Sequence, residues 1–419
     1  MKRESPSTWH ATTKMPKFPA LSKSTSADVC IVGGGLTGVM SAYLLAKAGK
    51  KVILLEKDRI GSGATGRTTG FLSHAIDTDL RDLIMMVGEE KARMVLDSHG
   101  KAIDLIEKII NDEEIECEFV RTSHYLYAKN TSEYEFLKTE HEAAQKLGGK
   151  TVLGRGILPF APDGHLEFVE QAKFHPLKFL GSLALAAQDL GVELYEGSAV
   201  ESITKEPLTV KVGQDTVEAD LVISATYNPL LEPHSLFLKK AMYVSYVEEL
   251  RLPAGSLPEG MYEDQANPYN YFRVDPQKNY DRVIVGGEDH RADVKVRPSK
   301  NIKALDDFIK LTFKDIPYET ARKWRGPVLE PIDGLAFIGP VGKPDILYAF
   351  GFSGSGMTYA AIAALMFCDI ALGKKNEWSD VYDASRIPGP VALLVKGRDY
   401  MGEFFHGAVK NTLAYRKSD

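Results

Sequence analysis

The chain has 419 residues, of which 44% are hydrophobic and 26% are charged, a composition that is typical of globular proteins and excludes disordered, collagenous and coiled-coil chains. The net charge of −6 argues against a nucleic-acid-binding protein. Three widely spaced cysteines give neither a disulfide framework nor a metal-binding spacing, so we expect no metal site and a reducing, cytoplasmic compartment.

The first residues have the composition of a tail, and the folded region follows them. Residues 1–27 are rich in Ser, Thr, Lys and Pro and contain no apolar signal-peptide core, so we expect an extended, solvated arm. Asp28–Val32 is a β-branched strand, Leu36–Ala48 has the apolar spacing of a helix, and Val52–Glu56 is a second strand. The folded region therefore begins with a strand–turn–helix–strand unit.

The turn of this unit has the glycine spacing of a dinucleotide-binding site. Gly33, Gly35 and Gly38 fit G-x-G-x-x-G between a strand and a helix, where they permit a tight turn, close approach of a pyrophosphate and close helix packing. The helix N-terminus directs free N–H groups at the phosphates. Glu56 ends the second strand, where a carboxylate can accept the ribose hydroxyl protons. The spacing alone leaves FAD and NAD open.

A second glycine-rich loop, GSGATGRTTG at Gly61–Gly70, follows the second strand directly. An NAD dehydrogenase has no special need of such a loop, whereas a flavin extends further and needs more hydrogen-bond donors. Arg67, Thr68 and Thr69 are candidate donors. A solvated surface turn is the alternative interpretation of this loop.

The rest of the chain alternates between helical and strand-like patterns without a long linker. Amphipathic helices are predicted at Glu89–Asn111, Glu133–Leu147 and Leu177–Leu190, and the segment from Ala241 to Gly287 is rich in strands. The longest apolar run, Tyr359–Leu372, is too short and too polar to cross a bilayer. We therefore expect interleaved domains and no integral membrane segment.

Five ordered blocks over about 350 residues, the two glycine loops counted as one, resemble the D-amino-acid oxidase/glycine oxidase superfamily of FAD-dependent oxidoreductases. Beyond the two glycine loops, the similar segments are Phe174–Leu177 with Gly191–Val200, Ile223–Thr226, Trp324–Gly326 with Pro331–Pro340, and Gly351–Thr358. The opening Ser7–Thr12 and Thr65–Thr69 are most similar to γ-glutamylputrescine oxidoreductase-like proteins and to the flavin module of Rieske-fused relatives. The Cys–His pairs of a Rieske centre are not in this sequence, so we expect no transfer of electrons from the flavin to a Rieske cluster of this chain.

The resemblance implies an α/β fold with a Rossmann-like FAD-binding domain interleaved with an antiparallel-sheet, α+β substrate domain. We assign residues 26–95, 165–235 and 320–390 to the FAD-binding domain. Residues 96–164 and 236–319 form the substrate domain. The remaining segments are an N-terminal arm, 1–25, and a C-terminal tail, 391–419, which is amphipathic enough to dock on the body or on a partner.

The resemblance also implies which residues contact FAD. It predicts that the last glycine turn directs the first N–H groups of a helix at the flavin edge that becomes anionic on reduction. Together with the residues of the two glycine loops, the predicted FAD contacts are Gly33, Gly35, Leu36, Thr37, Gly38, Glu56, Lys57, Arg67, Thr68, Thr69, Gly70, Val200, Ala225, Thr226, Gly326, Asp333, Gly351, Ser353, Gly354, Ser355, Gly356, Met357 and Thr358.

Several departures from the family pattern modify these expectations. Relatives that hold FAD covalently use a His or a Cys where this chain has Arg67 and Gly326, so we expect non-covalent FAD. Arginines that hold a substrate carboxylate in glycine oxidase-type relatives are replaced by Val328 and Gly354, which makes simple α-amino acids less suitable substrates. Ile284 stands where sarcosine-oxidase-like relatives carry an oxygen-activating Lys, so the electron acceptor, oxygen or another, stays open.

Three residues are candidates for the substrate site. Tyr271 and Arg273 lie two apart on a predicted strand and so share a face, where they would form a ring lid and a cation over the flavin. His74 lies just beyond the second glycine loop and would be a base near the ring. The alternatives are surface-strand residues for the first two and a satisfied histidine at a helix entry for the third.

The resulting hypothesis is an FAD-dependent amine or amino-acid oxidoreductase that passes a hydride from the carbon next to nitrogen to flavin N5 and yields an imine. Alignment and a dry pocket suffice for this chemistry, so no strong catalytic base is required. The alternatives are a flavin-binding assembly protein with a vestigial substrate site and an NAD(P)-linked or hydroxy-acid dehydrogenase. The expected partner is a small amine or amino acid, and a homo-oligomer is possible.

Overall fold

The computed structural model describes residues 5–156, 160–228, 239–292 and 298–392. Two sheets organise this part of the chain. The helices are α1 (Thr8–Thr12), α2 (Leu36–Lys47), α3 (Leu80–Val87), α4 (Glu89–Asp112), α5 (Thr131–Lys146), α6 (Pro176–Asp189), α7 (Pro298–Thr312), α8 (Gly356–Ala371) and α9 (Ser379–Tyr382), with a 3₁₀ turn at Ala64–Arg67.

The first sheet has a parallel centre, as a dinucleotide-binding fold requires. Its order is β16-β17-β10-β1-β2-β7, and β8 and β9 extend it as an antiparallel hairpin on β10. The strands are β1 (Thr25–Val32), β2 (Val52–Leu55), β7 (Glu193–Tyr195), β8 (Ser202–Lys205), β9 (Leu208–Val212), β10 (Asp215–Ser224), β16 (Phe337–Val341) and β17 (Lys343–Phe350).

Apolar helices make this sheet the larger core of the molecule. Helices α2 and α8 pack against one another, α6 packs on α2, and α4 packs on α8. All four residues of β2 are buried, and α8 buries nearly its whole circumference, which explains its continuous apolar sequence. The parallel centre with helices agrees with the predicted Rossmann-like domain.

The second sheet is mostly antiparallel. Its order is β15-β11-β14-β13-β12-β4-β6-β3, with β5 added to β6, and only β12 and β4 run parallel among its described pairs. The strands are β3 (Phe71–Leu72), β4 (Val120–Ala128), β5 (Thr151–Gly154), β6 (Gly164–Lys173), β11 (Lys240–Pro253), β12 (Gly260–Glu263), β13 (Asn270–Pro276), β14 (Tyr280–Arg291) and β15 (Glu319–Pro331).

The predicted domain boundaries at 165 and 320 differ from this topology. Both β6 and β15 belong to the second sheet, because β6 pairs with β4 and β15 pairs with β11. These residues were expected in the FAD-binding domain. A strand's sheet is decided by partners far away in sequence, which the local pattern does not report.

The expected extended, solvated arm is instead a docked segment. Trp9 in α1 is fully buried, and its indole N–H donates to the Thr68 carbonyl at 2.6 Å. Ser7 donates to the Gly66 carbonyl at 2.6 Å, and Thr8 donates to the Glu249 carboxylate at 2.6 Å. The Ser- and Thr-rich composition therefore reflects hydrogen bonds to the body rather than to water.

Most of the predicted C-terminal tail lies outside the described residues, since the description ends at residue 392. Within the described ranges, no helix combines the length and the apolar character needed to cross a membrane.

Candidate functional site: a cavity shared by the two sheets

The first glycine turn is fixed by backbone that leaves no room for side chains. Gly33 has φ of +113°, and a Cβ there would lie 2.4 Å from the Ala225 carbonyl oxygen. A Cβ at Gly38 would lie 1.9 Å from the Gly33 carbonyl oxygen. Gly38 therefore closes the turn from behind, while Gly33 and Gly35 line the cavity in front of α2. The geometry matches the roles that dinucleotide binding gives to these glycines.

Glu56 occupies the end of β2 with its carboxylate held in place. Its two oxygens accept the backbone N–H groups of Gly34 at 2.7 Å and of Asp58 at 2.8 Å. Glu56 lines the cavity together with Lys57 and Val200. This end can therefore receive hydroxyl groups such as those of a ribose.

The second glycine loop is held by β15 and by the docked N-terminal segment. The Trp324 indole N–H donates to the Arg67 carbonyl at 3.0 Å, and the docked segment binds the carbonyls of Gly66 and Thr68. A Cβ at Gly326 would lie 3.3 Å from the Arg67 carbonyl oxygen, so a larger residue at this position would press on the loop. Arg67, Thr68 and Thr69 face the cavity.

The last glycine turn brings a second helix N-terminus to the same cavity. Helix α8 starts at Gly356, and the Thr358 hydroxyl is hydrogen-bonded to His99 Nδ1 at 2.7 Å. The first N–H groups of a helix have no partner within it, so those of α8 favour negative charge in the cavity. The predicted contacts from this turn that line the cavity are Gly351, Ser353, Gly354, Ser355, Gly356, Met357 and Thr358.

One continuous cavity of about 700 Å³ joins these parts to the second sheet, a size suited to an organic ligand. Two helix N-termini, a ribose-type carboxylate and side-chain-free turns lie along it, which fits an FAD molecule. Of the predicted FAD contacts, all except Gly38, Gly70 and Asp333 line it.

Gly70 and Asp333, two of the predicted FAD contacts that do not line the cavity, contact other parts of the protein. Gly70 has φ of +78°, and a Cβ there would lie 2.8 Å from the Arg273 guanidinium. Asp333 was expected to contact FAD but binds the Arg386 guanidinium through both carboxylate oxygens at 2.8 Å. Asp333 therefore anchors the segment after α9 rather than the cofactor cavity.

Arg273 does not lie in the cavity, in contrast to the expectation of a cation over the flavin. It is 1% exposed, and its guanidinium donates to the carbonyls of Thr69, Gly70 and Phe174 at 2.9–3.1 Å. Its charge is compensated by Asp275 at 2.9 Å. Arg273 shares the strand face with Tyr271, as predicted, but it supports the second glycine loop from behind.

His74 also lies outside the cavity. Its backbone N–H donates to Gln171, and its ring faces α4, where a Cβ at Gly100 would lie 3.1 Å from Nε2. Burial lowers the pKa of His74 to about 4, so the ring is neutral at physiological pH. The expected base near the flavin is therefore not at this position.

Tyr271 does line the cavity, at the end formed by the second sheet. Its ring lies over Gly286, where a Cβ would be 2.5 Å from the ring carbon Cζ. It meets Phe71 edge to face at 5.7 Å, and its hydroxyl is 3.3 Å from Ser245 Oγ. Burial raises the pKa of Tyr271 above its usual range, so the phenol stays protonated.

The polar groups that accompany Tyr271 were not among the predicted site residues. They are His124, Tyr269 and the three carboxylates Asp77, Glu263 and Asp289. The five come from separate strands and loops of the second sheet region, and nothing in the local sequence brings them together. We call this part of the cavity, with Tyr271 and Ser245, the substrate end.

The pKa values of two substrate-end carboxyls are raised. Burial, with Asp77 nearby, raises the pKa of Glu263 well above its usual range. Burial raises the pKa of Asp289 to about 6, against a hydrogen bond from Ser245 that lowers it, while Asp77 and Glu288 add repulsion. His124 is neutral, because burial lowers its pKa to about 3.

Comparison with known proteins places these features in a family context. The family model for FAD dependent oxidoreductases (DAO) matches residues 28–370. The chain is 31% identical to the putative Rieske 2Fe-2S iron-sulfur protein YhfW of Bacillus subtilis, covering 92% of this chain and 76% of that protein. It is 28% identical to the gamma-glutamylputrescine oxidoreductase of Escherichia coli, covering 90% and 91%. The crystal structure of glycine oxidase from Geobacillus kaustophilus matches 87% of this chain and 100% of that one with a TM-score of 0.72 at 20% identity.

Proposed function

The chain belongs to the FAD dependent oxidoreductase (DAO) family, and from this premise we propose that it oxidises the C–N bond of an amine or amino acid to an imine. When bound, FAD supplies the acceptor, N5, for the hydride that leaves the carbon next to nitrogen. The substrate nitrogen loses a proton, and water then hydrolyses the imine to a carbonyl compound and an amine or ammonia. The gamma-glutamylputrescine oxidoreductase and glycine oxidase relatives support this class of substrate.

The observation that carries the proposal is the continuity of the cavity. It runs without interruption from the dinucleotide-type turn at Gly33 to the polar substrate end at Tyr271. A dinucleotide cofactor and a small molecule can therefore share one cavity and lie in contact, which is what direct hydride transfer requires.

The residues of the chain have distinct roles in this proposal. Tyr271 and Phe71 cover the substrate end and limit the access of water. Asp289 Oδ1 has no hydrogen-bond partner and, with a pKa of about 6, can accept the proton of a substrate ammonium at neutral pH. The N-terminus of α8 stabilises negative charge that develops in the cavity.

We further propose that FAD is held non-covalently. Arg67 and Gly326 lie at the second glycine loop, and neither carries a nucleophile for a flavin bond.

Cys30, Cys117 and Cys368 are free, which supports the expectation of a reducing, cytoplasmic compartment.

The test is a visible spectrum of the purified protein, repeated on the supernatant after acid precipitation. We expect the two-band flavin spectrum, moving entirely to the supernatant, and bleaching under anaerobic titration with at least one member of a panel of amines and amino acids. The rate at which oxygen restores the colour then separates an oxidase from a dehydrogenase. Colour that stays in the pellet contradicts the non-covalent assignment.

A flavin that no amine or amino acid bleaches contradicts the proposed reaction. That outcome supports the alternative of a flavin-binding assembly protein with a vestigial substrate site. Protein that remains colourless after addition of FAD contradicts both.

A further inference from the structure

Three carboxylates meet at the substrate end. Glu263 ends β12, Asp289 lies near the end of β14, and Asp77 follows the second glycine loop after β3. Their proximity is reflected in their electrostatics, since Asp77 raises the pKa of both Glu263 and Asp289. Like charges held together away from water are costly, so Glu263 keeps its proton unless a positive charge lies beside it.

The described lining of the cavity supplies no such charge at this end. Its basic residues, Lys57 and Arg67, lie at the nucleotide end and at the second glycine loop. Arg273, the nearest cation on the same strand face as Tyr271, is turned beneath the loop and paired with Asp275. A positively charged ligand would therefore have to supply the charge that compensates these carboxyl groups.

His124 provides an independent indication that a ligand binds here. It is 2% exposed and lies on the cavity wall. Its Nδ1 is 2.9 Å from Ser73 Oγ, whereas Nε2 has no hydrogen-bond partner and is 3.6 Å from the Glu263 carboxylate. A buried polar atom without a partner is rare in a finished site, and an amine nitrogen between Nε2 and Glu263 would complete it.

Asp77 also excludes the usual means of binding a carboxylate. It accepts hydrogen bonds from Ser353 Oγ and from the Gly354 N–H, each at 2.5 Å. A Cβ at Gly354 would lie 2.8 Å from both Asp77 carboxylate oxygens. Gly354 is the position at which the sequence resemblance expects a carboxylate-binding Arg, and here a carboxylate fills that space.

We propose that the substrate end selects an amine whose nitrogen is positively charged in solution and which has no carboxylate beside the reacting carbon, as in aliphatic diamines and polyamines. This rests on the proposed function and names the substrate class of the same site. The carboxylates attract the ammonium group, one of them takes its proton, and the others hold a second cationic nitrogen where the substrate has one.

The first test uses two unreactive ligands of the same shape and opposite charge. tert-Butylammonium has no hydrogen on the carbon next to its nitrogen, and pivalate has no nitrogen. Neither molecule can therefore reduce the flavin. We expect tert-butylammonium to perturb the flavin spectrum of the holoenzyme with a saturable Kd, and pivalate to bind at least tenfold more weakly. Pivalate binding as tightly as tert-butylammonium overturns the proposal.

The second test compares variants of the holoenzyme. Asp289→Asn removes a negative charge, and Glu263→Gln removes a carboxyl group that a bound cation would ionise. Both changes keep the shape of the side chain, and each is expected to raise the Kd of tert-butylammonium at least tenfold. Asp315→Asn removes one charge from an exposed position outside the cavity and is expected to leave that Kd unchanged. Unchanged binding in both cavity variants contradicts the proposal.

The substrate panel separates this inference from the proposed function. We expect 1,4-diaminobutane to bleach the flavin anaerobically and glycine, which has a carboxylate beside the reacting carbon, to do so at least a hundredfold more slowly. Rapid bleaching by glycine alone keeps the proposed function and overturns the inference. Selective binding of tert-butylammonium without bleaching by any amine or amino acid keeps the inference and overturns the proposed function.

Discussion

Asp289 faces the cavity because of one extra residue in β14. Between the pairs Val244–His290 and Tyr246–Gly287, a single β11 residue, Ser245, is opposite two β14 residues. Glu288 has φ of +55°, which is the left-handed conformation of a bulge. Strict alternation from Gly286, which lies under Tyr271, would direct residue 288 at the cavity. The bulge directs Asp289 there instead, so the sequence pattern alone does not identify it.

Because the pKa of Asp289 is about 6, cation binding to the holoenzyme should depend on pH. The carboxyl is neutral below this pKa and charged above it, whereas an alkylammonium stays protonated throughout. The Kd of tert-butylammonium should therefore fall about tenfold from pH 5 to pH 7, as one ionisation with this pKa requires. The charged and titratable groups that interact electrostatically with Asp289 are Asp77, Glu288, Tyr227, Tyr269 and Tyr271.

Asp289→Asn is the control, and its Kd should vary less than threefold over the same range. Spectral titration of the flavin at each pH measures both proteins. A wild-type Kd that is flat with pH, or an equal pH dependence in the variant, would assign the effect to another group.

Residues governed by local backbone rules were predictable, and residues governed by distant partners were not. Gly33 and Gly35 follow from a spacing that any tight turn at a pyrophosphate imposes, and both line the cavity. Arg273 and Asp333 were expected in the site from their neighbours in sequence. The position of Arg273 depends instead on the distant carbonyls of Thr69, Gly70 and Phe174, and that of Asp333 depends on Arg386. No local pattern encodes these contacts.

At the scale of elements, the short helix α1 acts as a clamp on the second glycine loop. The Trp9 indole lies 5.2 Å from the Arg273 guanidinium and meets the His175 ring edge to face at 4.8 Å. Its N–H donates to the Thr68 carbonyl, while Arg273 holds the next two carbonyls from below. The loop that lines the cavity is thus fixed between α1 and β13.

Replacing Trp9 should therefore weaken FAD binding although Trp9 does not line the cavity. Trp9→Ala removes a fully buried aromatic side chain, which costs about 3–5 kcal/mol of stability, and frees the loop. We expect the Kd for FAD, measured by fluorescence titration of the apoprotein, to rise at least tenfold. Trp9→Phe keeps an aromatic ring at this position but loses part of the packing and one hydrogen bond of about 1 kcal/mol, so its Kd should rise at least fivefold but less than that of Trp9→Ala.

An Ala variant with a lowered melting temperature and an unchanged Kd for FAD would show that α1 stabilises the fold without ordering the loop. Far-UV circular dichroism of each variant provides the check on folding.

The element patterns also mark the limit of prediction at this scale. The unit β1–α2–β2 was predicted within a few residues, because its alternation and glycines are local. The residues of β6 and β15 were assigned from the sequence to the range of the FAD-binding domain, whereas both strands pair within the second sheet. Pairing of β15 with β11 spans a large separation in sequence, and only the folded topology decides it.

At the scale of the whole molecule, the cavity lies between the two sheets, and this boundary is called the seam below. The first sheet contributes Gly33, Glu56 and Ala225 to its wall, and the second contributes Tyr271 and Asp289. The docked segment and the Trp324–Arg67 bond cross the same seam. A ligand that fills the cavity therefore contacts both sheets at once and should couple their stability.

We expect FAD to stabilise the molecule as one cooperative unit. Free FAD at 100 times its Kd adds about 2.7 kcal/mol to the native state. With an unfolding entropy of about 2.1 cal/mol/K per residue over 419 residues, this raises the melting temperature by roughly 3 °C. Calorimetry should show a single transition that shifts as a whole.

Gly33→Ala, whose Cβ would meet the Ala225 carbonyl oxygen at 2.4 Å, should lose the shift because the turn no longer fits a pyrophosphate. Two transitions, of which FAD moves only one, would mean that the sheets unfold separately and that the cavity belongs to one of them.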